Sequence, residues 1–196
     1  MKKCIFIFIL ISFQLNSWAS YLIINMDNTQ TNHLKAYGIA FWVLENQQEV
    51  DWLLNYKGGS FMMKYKSSIE RECKIRGVSY KIIADIQSSQ ILREITAPEI
   101  NQDVVKLEKA PKIAVYSPKS KLPWDDAVTL ALTYAEIPYD IVYDQEVLNG
   151  SLPIYDWLHL HHEDFTGQYG KFYSSYKNSE WYRNQKKEFE KSANTM

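Results

Sequence analysis

The chain has 196 residues, of which 46% are hydrophobic and 23% charged, and its formal net charge is −1. This composition is typical of a folded protein and excludes an intrinsically disordered chain. The near-neutral charge and the absence of a clustered basic stretch give no electrostatic basis for a nucleic-acid partner.

The N-terminus carries the three parts of a secretory signal peptide in the required order. Lys2 and Lys3 supply the positive start, and the apolar run at 4–13 is shorter than the roughly 20 residues that a membrane span needs. Ser17 and Ala19 are small residues spaced as a cleavage site. We predict a signal peptide over residues 1–19 and an exported protein, periplasmic or secreted, with no stable membrane span after cleavage. An uncleaved N-terminal anchor is the alternative.

Cleavage after Ala19 changes both the charge and the cysteine content. It removes two of the 22 basic side chains against 23 acidic ones, so the mature net charge becomes −3. It also removes Cys4, which leaves Cys73 alone and excludes a disulfide bond within the chain. Cys73 lies in a predicted helix, where a half-buried small residue is favoured over a reactive thiol.

In the first half, short apolar runs and helical periodicity predict alternating strands and helices. The strands or extended segments are expected at 21–26, 50–56, 61–63 and 78–84. Helices are expected at 32–45, 67–76 and 88–95. Lys57-Gly58-Gly59-Ser60 is interpreted as a hairpin turn, because it lacks the spacing of a phosphate-binding loop.

In the second half, strands are expected at 112–116, 139–143 and 154–160, with a helix opening at Pro123 and an amphipathic helix at 179–191. Because the strands are almost continuously apolar, they predict a parallel sheet. The predicted fold class is α/β, with a parallel sheet and helices on both faces in a flavodoxin-like arrangement. Residues 20–110 would form an N-terminal α/β region, and 111–196 the start of a second α/β domain. That sheet is expected to be incomplete, because the second half supplies too few strands.

The strongest cluster of chemically competent side chains follows the third strand of the second half. It comprises His159, His161, Glu163 and Asp164, with His162 between them. Ligands gather at the carboxyl ends of parallel strands, and His159 and His161 would point to the same side of a strand. The four are candidate catalytic residues, and the two histidines are candidate ligands of a divalent metal. No other cofactor is predicted, and imidazoles hydrogen-bonded to loop backbone are the alternative.

Five segments resemble a group of exported bacterial proteins named asparagine synthetase B. They lie at 26–38, 52–61, 107–116, 124–129 and 155–172, and the last contains Tyr155-Asp156-Trp157-Leu158-His159-Leu160-His161-His162. This group is similar to the class I glutamine amidotransferase-like α/β fold. The resemblance implies a family that continues beyond Met196, with a cysteine nucleophile on a later strand. The chain would then be an N-terminal fragment, and a C-terminal companion segment its partner.

Three hypotheses for the function follow. The first is the N-terminal part of an exported glutamine amidotransferase-like protein, without complete catalytic machinery. The second is a periplasmic or surface module that binds a small-molecule ligand. The third is a metal-dependent hydrolase that uses the cluster from His159 to Asp164.

Overall fold

The computed structural model describes residues 19–117, 127–160 and 169–194. The chain divides into two compact units, with the boundary between Lys109 and Ala110. In the described ranges, no helix is long and apolar enough to cross a membrane.

Over residues 19–109, the first unit contains five strands, three helices and one short 3-10 turn. The strands are β1 (Ala19–Ile24), β2 (Val50–Leu54), β3 (Ser60–Lys64), β4 (Lys81–Ala84) and β5 (Asp103–Leu107). The helices are α1 (His33–Glu45), α2 (Ser67–Arg76) and α3 (Asp85–Ile95), and the 3-10 turn is Tyr56–Gly58.

Local signals fix several of these boundaries. Asn32 caps α1, because its side chain accepts a hydrogen bond from the Lys35 backbone amide. Gly77 ends α2 at a φ of 68°, which is a left-handed conformation that glycine adopts readily. The predicted hairpin turn is confirmed, since β2 and β3 pair antiparallel on either side of the 3-10 turn.

The five strands form one sheet in the order β4-β1-β3-β2-β5, and all neighbouring pairs are antiparallel. The first four strands with α1 and α2 have the βαββαβ topology called ferredoxin-like. Helix α3 and strand β5 extend this arrangement. Since α3 joins the two opposite edge strands, it crosses the whole sheet.

Helices cover both faces of this sheet. Ile23, Leu53 and Met62 face α3 and pack with Ile95 in a buried cluster. Phe61 points to the opposite face, where its ring contacts Tyr37 of α1 at a centroid distance of 5.3 Å. Strands β1 and β3 are therefore apolar on both sides.

The predicted parallel-sheet, flavodoxin-like fold class is wrong. The larger sheet is antiparallel throughout, and among the described strands parallel pairing occurs only in a separate sheet of three short strands. Continuous apolar runs usually mark parallel sheets because helices cover both faces of such sheets. In this protein, helices cover both faces of an antiparallel sheet, so its strands also contain continuous apolar runs. Strand β5 is not among the predicted strands.

The second unit contains the three-stranded parallel sheet, in the order β7-β6-β8. Its strands are β6 (Ile113–Tyr116), β7 (Asp140–Val142) and β8 (Trp157–Leu160). The helices in the described part of this unit are α4 (Ala127–Ala135), α5 (Asp144–Leu148), α6 (Tyr169–Tyr176) and α7 (Glu180–Ala193), with a 3-10 turn at Leu152–Ile154. The central strand β6 is buried at Ile113, Ala114 and Val115.

Four connections of the first unit meet at one end of its sheet: β1–α1, β2–β3, α2–β4 and α3–β5. Hydrogen bonds tie them together. The Met26 amide donates to the Lys57 carbonyl at 3.1 Å, and the Asn55 side chain donates to the Asn101 carbonyl at 3.0 Å. These hydrogen bonds therefore fix the connections, and the polar side chains that they carry, relative to one another.

Candidate functional site

The predicted histidine cluster is described only in part. His159 lies on β8 opposite Val115, is half-buried, and contacts the Trp157 ring at a centroid distance of 6.4 Å. His161, Glu163 and Asp164 lie outside the described residues. In the part of the chain that the structure describes, no three His, Cys, Asp or Glu side chains form a group that could hold a metal ion. The catalytic and metal-binding roles of the cluster stay predictions.

Cys73 is more deeply buried than the sequence predicts. It is 0% exposed in α2, and burial raises the pKa of its thiol to about 12. Because the thiolate is the reactive form, this cysteine is held in its unreactive state.

The aromatic rings of α6 and α7 contact one another. Tyr182 is buried, and its ring lies edge-on to Tyr173 at 6.1 Å. Trp181 lies 5.4 Å from Tyr176 and is 49% exposed. Tyr182 is therefore the buried aromatic residue of α7, and Trp181 is half exposed.

An open groove of about 250 Å³ lies in the first unit, on the face of the sheet that α3 covers. Its apolar floor is formed by Ile23 of β1, Ile83 of β4 and Ile91 of α3. Its polar lining comprises Asn25, Tyr56, Lys57, Lys81, Gln87, Gln90 and Glu94. A concave apolar surface with a few convergent polar groups is the usual form of a small-molecule site.

Asn25 is the buried polar group of this groove. It follows β1 directly and is only 8% exposed, yet its side-chain oxygen Oδ1 has no hydrogen-bond partner. Its backbone is fixed, because its carbonyl accepts a hydrogen bond from Gln30 Nε2 at 2.9 Å. An unpaired buried acceptor costs about 1–3 kcal/mol, so its presence in a native fold needs an explanation.

Gln30 supplies the support for this position. Its side chain is buried and bridges to Ser79, accepting from the Ser79 amide at 2.9 Å and donating to the Ser79 carbonyl at 3.1 Å. The β1–α1 connection is thereby attached to the loop before β4. Asn25, in that connection, and Lys81, the first residue of β4, are held at the same end of the sheet.

The turn that carries Lys57 has an unusual backbone. Asn55, Lys57, Gly58 and Gly59 all have positive φ angles, and that of Lys57 is 45°. Non-glycine residues rarely adopt this conformation, which costs about 1–2 kcal/mol. The Lys57 carbonyl accepts hydrogen bonds from the Met26 amide and from the buried Ser60 hydroxyl. The strained turn therefore sets Lys57 against the end of β1, beside Asn25.

Two cations and one carboxylate, Glu94, line the groove, and a second carboxylate, Asp27, lies near the two cations. Lys57 and Lys81 are both exposed, and both act on Asp27. The pKa of Asp27 is lowered chiefly by its hydrogen bonds from Thr29, with smaller contributions from the charges of the two lysines. On the α3 side, Glu94 accepts a hydrogen bond from Gln90 at 3.0 Å. The groove can thus bind an anionic group beside Lys57 and Lys81 and a hydrogen-bond donor at Asn25 Oδ1.

No protein-family model, no curated protein and no solved structure matches this chain. The expected relationship to the asparagine synthetase B group therefore stays a prediction.

Sequence reasoning missed the groove because its residues come from separate parts of the chain. Asn25, Lys57, Lys81 and Glu94 are brought together only by the order of strands in the sheet. One local signal was present: Asn25 is a polar residue at the end of an apolar strand, where a buried apolar residue is expected.

Proposed function

We propose that this chain is an exported binding protein that holds a small polar molecule in the groove of its first unit. The observation that carries the proposal is the buried, unpaired Oδ1 of Asn25, which lines the groove. A ligand that donates a hydrogen bond there would remove the cost of the unsatisfied acceptor. Export is supported by the N-terminal pattern of two lysines, a short apolar run and small residues at Ser17 and Ala19.

The lining argues for binding rather than for a particular reaction. The described residues of the groove include no serine, cysteine or histidine, so they lack the common nucleophile–base pairs. The volume lies below the roughly 300–1,000 Å³ typical of drug-sized ligands, which indicates a smaller molecule. The metal-dependent hydrolase gains no support, because His159 alone of its side chains is described.

The test is a titration of the ¹⁵N-labelled chain with single compounds from a defined set of small amino acids, hydroxy acids, polyols and monosaccharides. We expect at least one compound to cause saturable amide shifts centred on Asn25, Lys57 and Lys81. Asn25→Leu should abolish these shifts. Asn149→Leu, at an exposed position of the second unit, is the control and should leave them unchanged.

A stability measurement separates loss of binding from loss of fold. Because Leu has a similar volume and no unsatisfied acceptor, Asn25→Leu should raise the free energy of unfolding of the ligand-free chain by about 1 kcal/mol. If Asn25→Leu binds poorly and is more stable, Asn25 serves binding although its unpaired oxygen lowers the stability of the fold. Failure of every compound to shift the groove residues, or binding unaffected by Asn25→Leu, would contradict the proposal.

A further inference from the structure

The chemistry of the groove also defines a class of ligand. We infer that the ligand is a small carboxylate that carries a hydroxyl or amino donor close to its carboxyl group. This inference rests on the proposed function and is drawn from three features of the groove: its two ammonium groups, its unpaired acceptor and its apolar floor.

The two ammonium groups favour an anion. Among the described residues, neither Lys57 nor Lys81 has a carboxylate within ion-pair distance, and Lys57 Nζ instead lies 5.4 Å from the Tyr56 ring centroid. Asp27 feels the charges of both lysines, but its Oδ1 already accepts hydrogen bonds from the Thr29 amide and hydroxyl. The two cations are therefore available to a carboxylate at the mouth of the groove.

The unpaired oxygen requires a donor. Oδ1 of an asparagine side chain only accepts hydrogen bonds, so a molecule with nothing but carboxylate oxygens leaves it unsatisfied. A hydroxyl or an amino group on the ligand would supply the missing hydrogen. Glu94 on the α3 side of the groove adds a preference for a positively charged amino group over a neutral hydroxyl.

The floor and the volume limit the rest of the molecule. Ile23, Ile83 and Ile91 favour a short carbon skeleton, because burying apolar surface of the ligand is favourable. A groove of about 250 Å³ holds a molecule the size of a simple amino acid or hydroxy acid.

Four probes with the same three-carbon skeleton test the inference. L-alanine and L-lactate carry both a carboxylate and a donor, propionate carries a carboxylate and no donor, and propane-1,2-diol carries hydroxyl donors and no carboxylate. We expect alanine or lactate to bind the full chain at least fivefold more tightly than propionate or the diol. A neutral hydrogen bond is worth about a fivefold change in affinity. The amide shifts of the groove residues report each affinity.

Substitutions identify the groups that recognise the carboxylate. Lys57→Met and Lys81→Met should each weaken binding of the tighter probe about two- to fivefold, as expected for exposed charge pairs. Lys66→Met, an exposed lysine at the start of α2, is the matched control and should have no effect. Higher ionic strength should weaken binding of alanine or lactate and leave that of the diol unchanged.

The outcomes separate this inference from the proposed function. If propane-1,2-diol or a sugar binds in the groove as tightly as lactate, the carboxylate class is wrong and the binding function stands. If propionate binds as tightly as lactate, the ligand does not need a hydrogen-bond donor and this part of the inference is wrong. If no probe and no compound of the wider set shifts the groove residues, both fail.

Discussion

Glu70 is a residue whose electrostatic role can be measured directly. Its carboxylate accepts hydrogen bonds from Lys74 Nζ at 2.6 Å, from the Tyr65 hydroxyl at 2.8 Å and from the Tyr80 hydroxyl at 3.0 Å. These hydrogen bonds, that of Lys74 first, lower the pKa of Glu70 from 4.5 to about 2. Glu70 thus connects α2 to the segments on either side of it.

The direction of the pKa shift fixes how stability depends on pH. A carboxyl group whose pKa is lower in the folded state stabilises the fold fully above its unfolded pKa, and this stabilisation is lost as the pH falls towards the folded pKa. We therefore expect Glu70→Gln to lower the melting temperature at neutral pH. The difference from the original chain should shrink between about pH 5 and pH 2.

Thermal unfolding across this pH range is the measurement. Glu99→Gln, at an exposed position in the α3–β5 connection, is the control and should unfold like the original chain at every pH. A difference for Glu70→Gln that stays constant down to pH 2 would contradict the role of the ionised carboxylate.

At the scale of single elements, helix ends and turns were predictable because their signals are local. Helix α2 runs from Ser67 to Arg76 as predicted, since Gly77 stops it at a positive φ. Strand β5 was not predictable from its own residues. Asp103-Val104-Val105-Lys106-Leu107 becomes an edge strand by pairing with β2, some fifty residues earlier. Lys106, which forms an ion pair with Glu49, is typical of an edge.

The β2–β3 turn allows a prediction about a close backbone approach. A Cβ atom added at Gly58 would lie 2.4 Å from the Met26 carbonyl oxygen, and the φ of Gly58 is 83°. Gly77 also has a positive φ, of 68°, but a Cβ there would meet nothing within 4 Å. Substituting alanine at these two glycines therefore distinguishes the effect of a steric clash, expected only at Gly58, from that of backbone strain, expected at both.

We expect Gly58→Ala to lower the free energy of unfolding by about 2–4 kcal/mol, because clash and strain add. Gly77→Ala should cost about 1 kcal/mol, from the left-handed backbone alone. Urea unfolding of the two variants checks the difference. Because Met26 adjoins Asn25, Gly58→Ala should also shift the amide signals of the groove, whereas Gly77→Ala should not. Equal losses of stability at the two positions would contradict the close approach.

At the scale of the whole molecule, the sequence indicated that strands and helices alternate but not how the strands are ordered. Leu22, Ile23 and Ile24 are all buried, as a strand covered on both faces requires. That pattern does not distinguish parallel from antiparallel neighbours, because it reports burial and not strand direction. The candidate site depends on strand order, since β1 and β4 become neighbours only in the sheet. Hydrophobic periodicity therefore could not predict the groove, because it does not give the order of the strands.

The position of β1 limits where a signal peptide could be cleaved without loss of the fold. β1 lies inside the sheet, with β3 on one side and β4 on the other, and its register with β3 runs from Tyr21 to Ile24. The Ser20 carbonyl accepts a hydrogen bond from the Tyr65 amide at 2.9 Å. Cleavage after Ala19 would leave Ser20 and the whole β1–β3 register in place, whereas cleavage a few residues later would remove an interior strand.

We therefore expect the chain, expressed in a bacterium with its own N-terminus, to be recovered from the exported fraction with Ser20 as its first residue. Mass spectrometry of the intact protein gives that terminus. Ala19→Phe should block cleavage, because the peptidase requires a small residue there, whereas Asn16→Gln should be processed normally. A variant expressed from Asn25 onwards lacks β1 and should show no cooperative unfolding, while one that starts at Ser20 should unfold as the processed chain does. An intact N-terminus in the membrane fraction would instead identify residues 1–19 as an anchor.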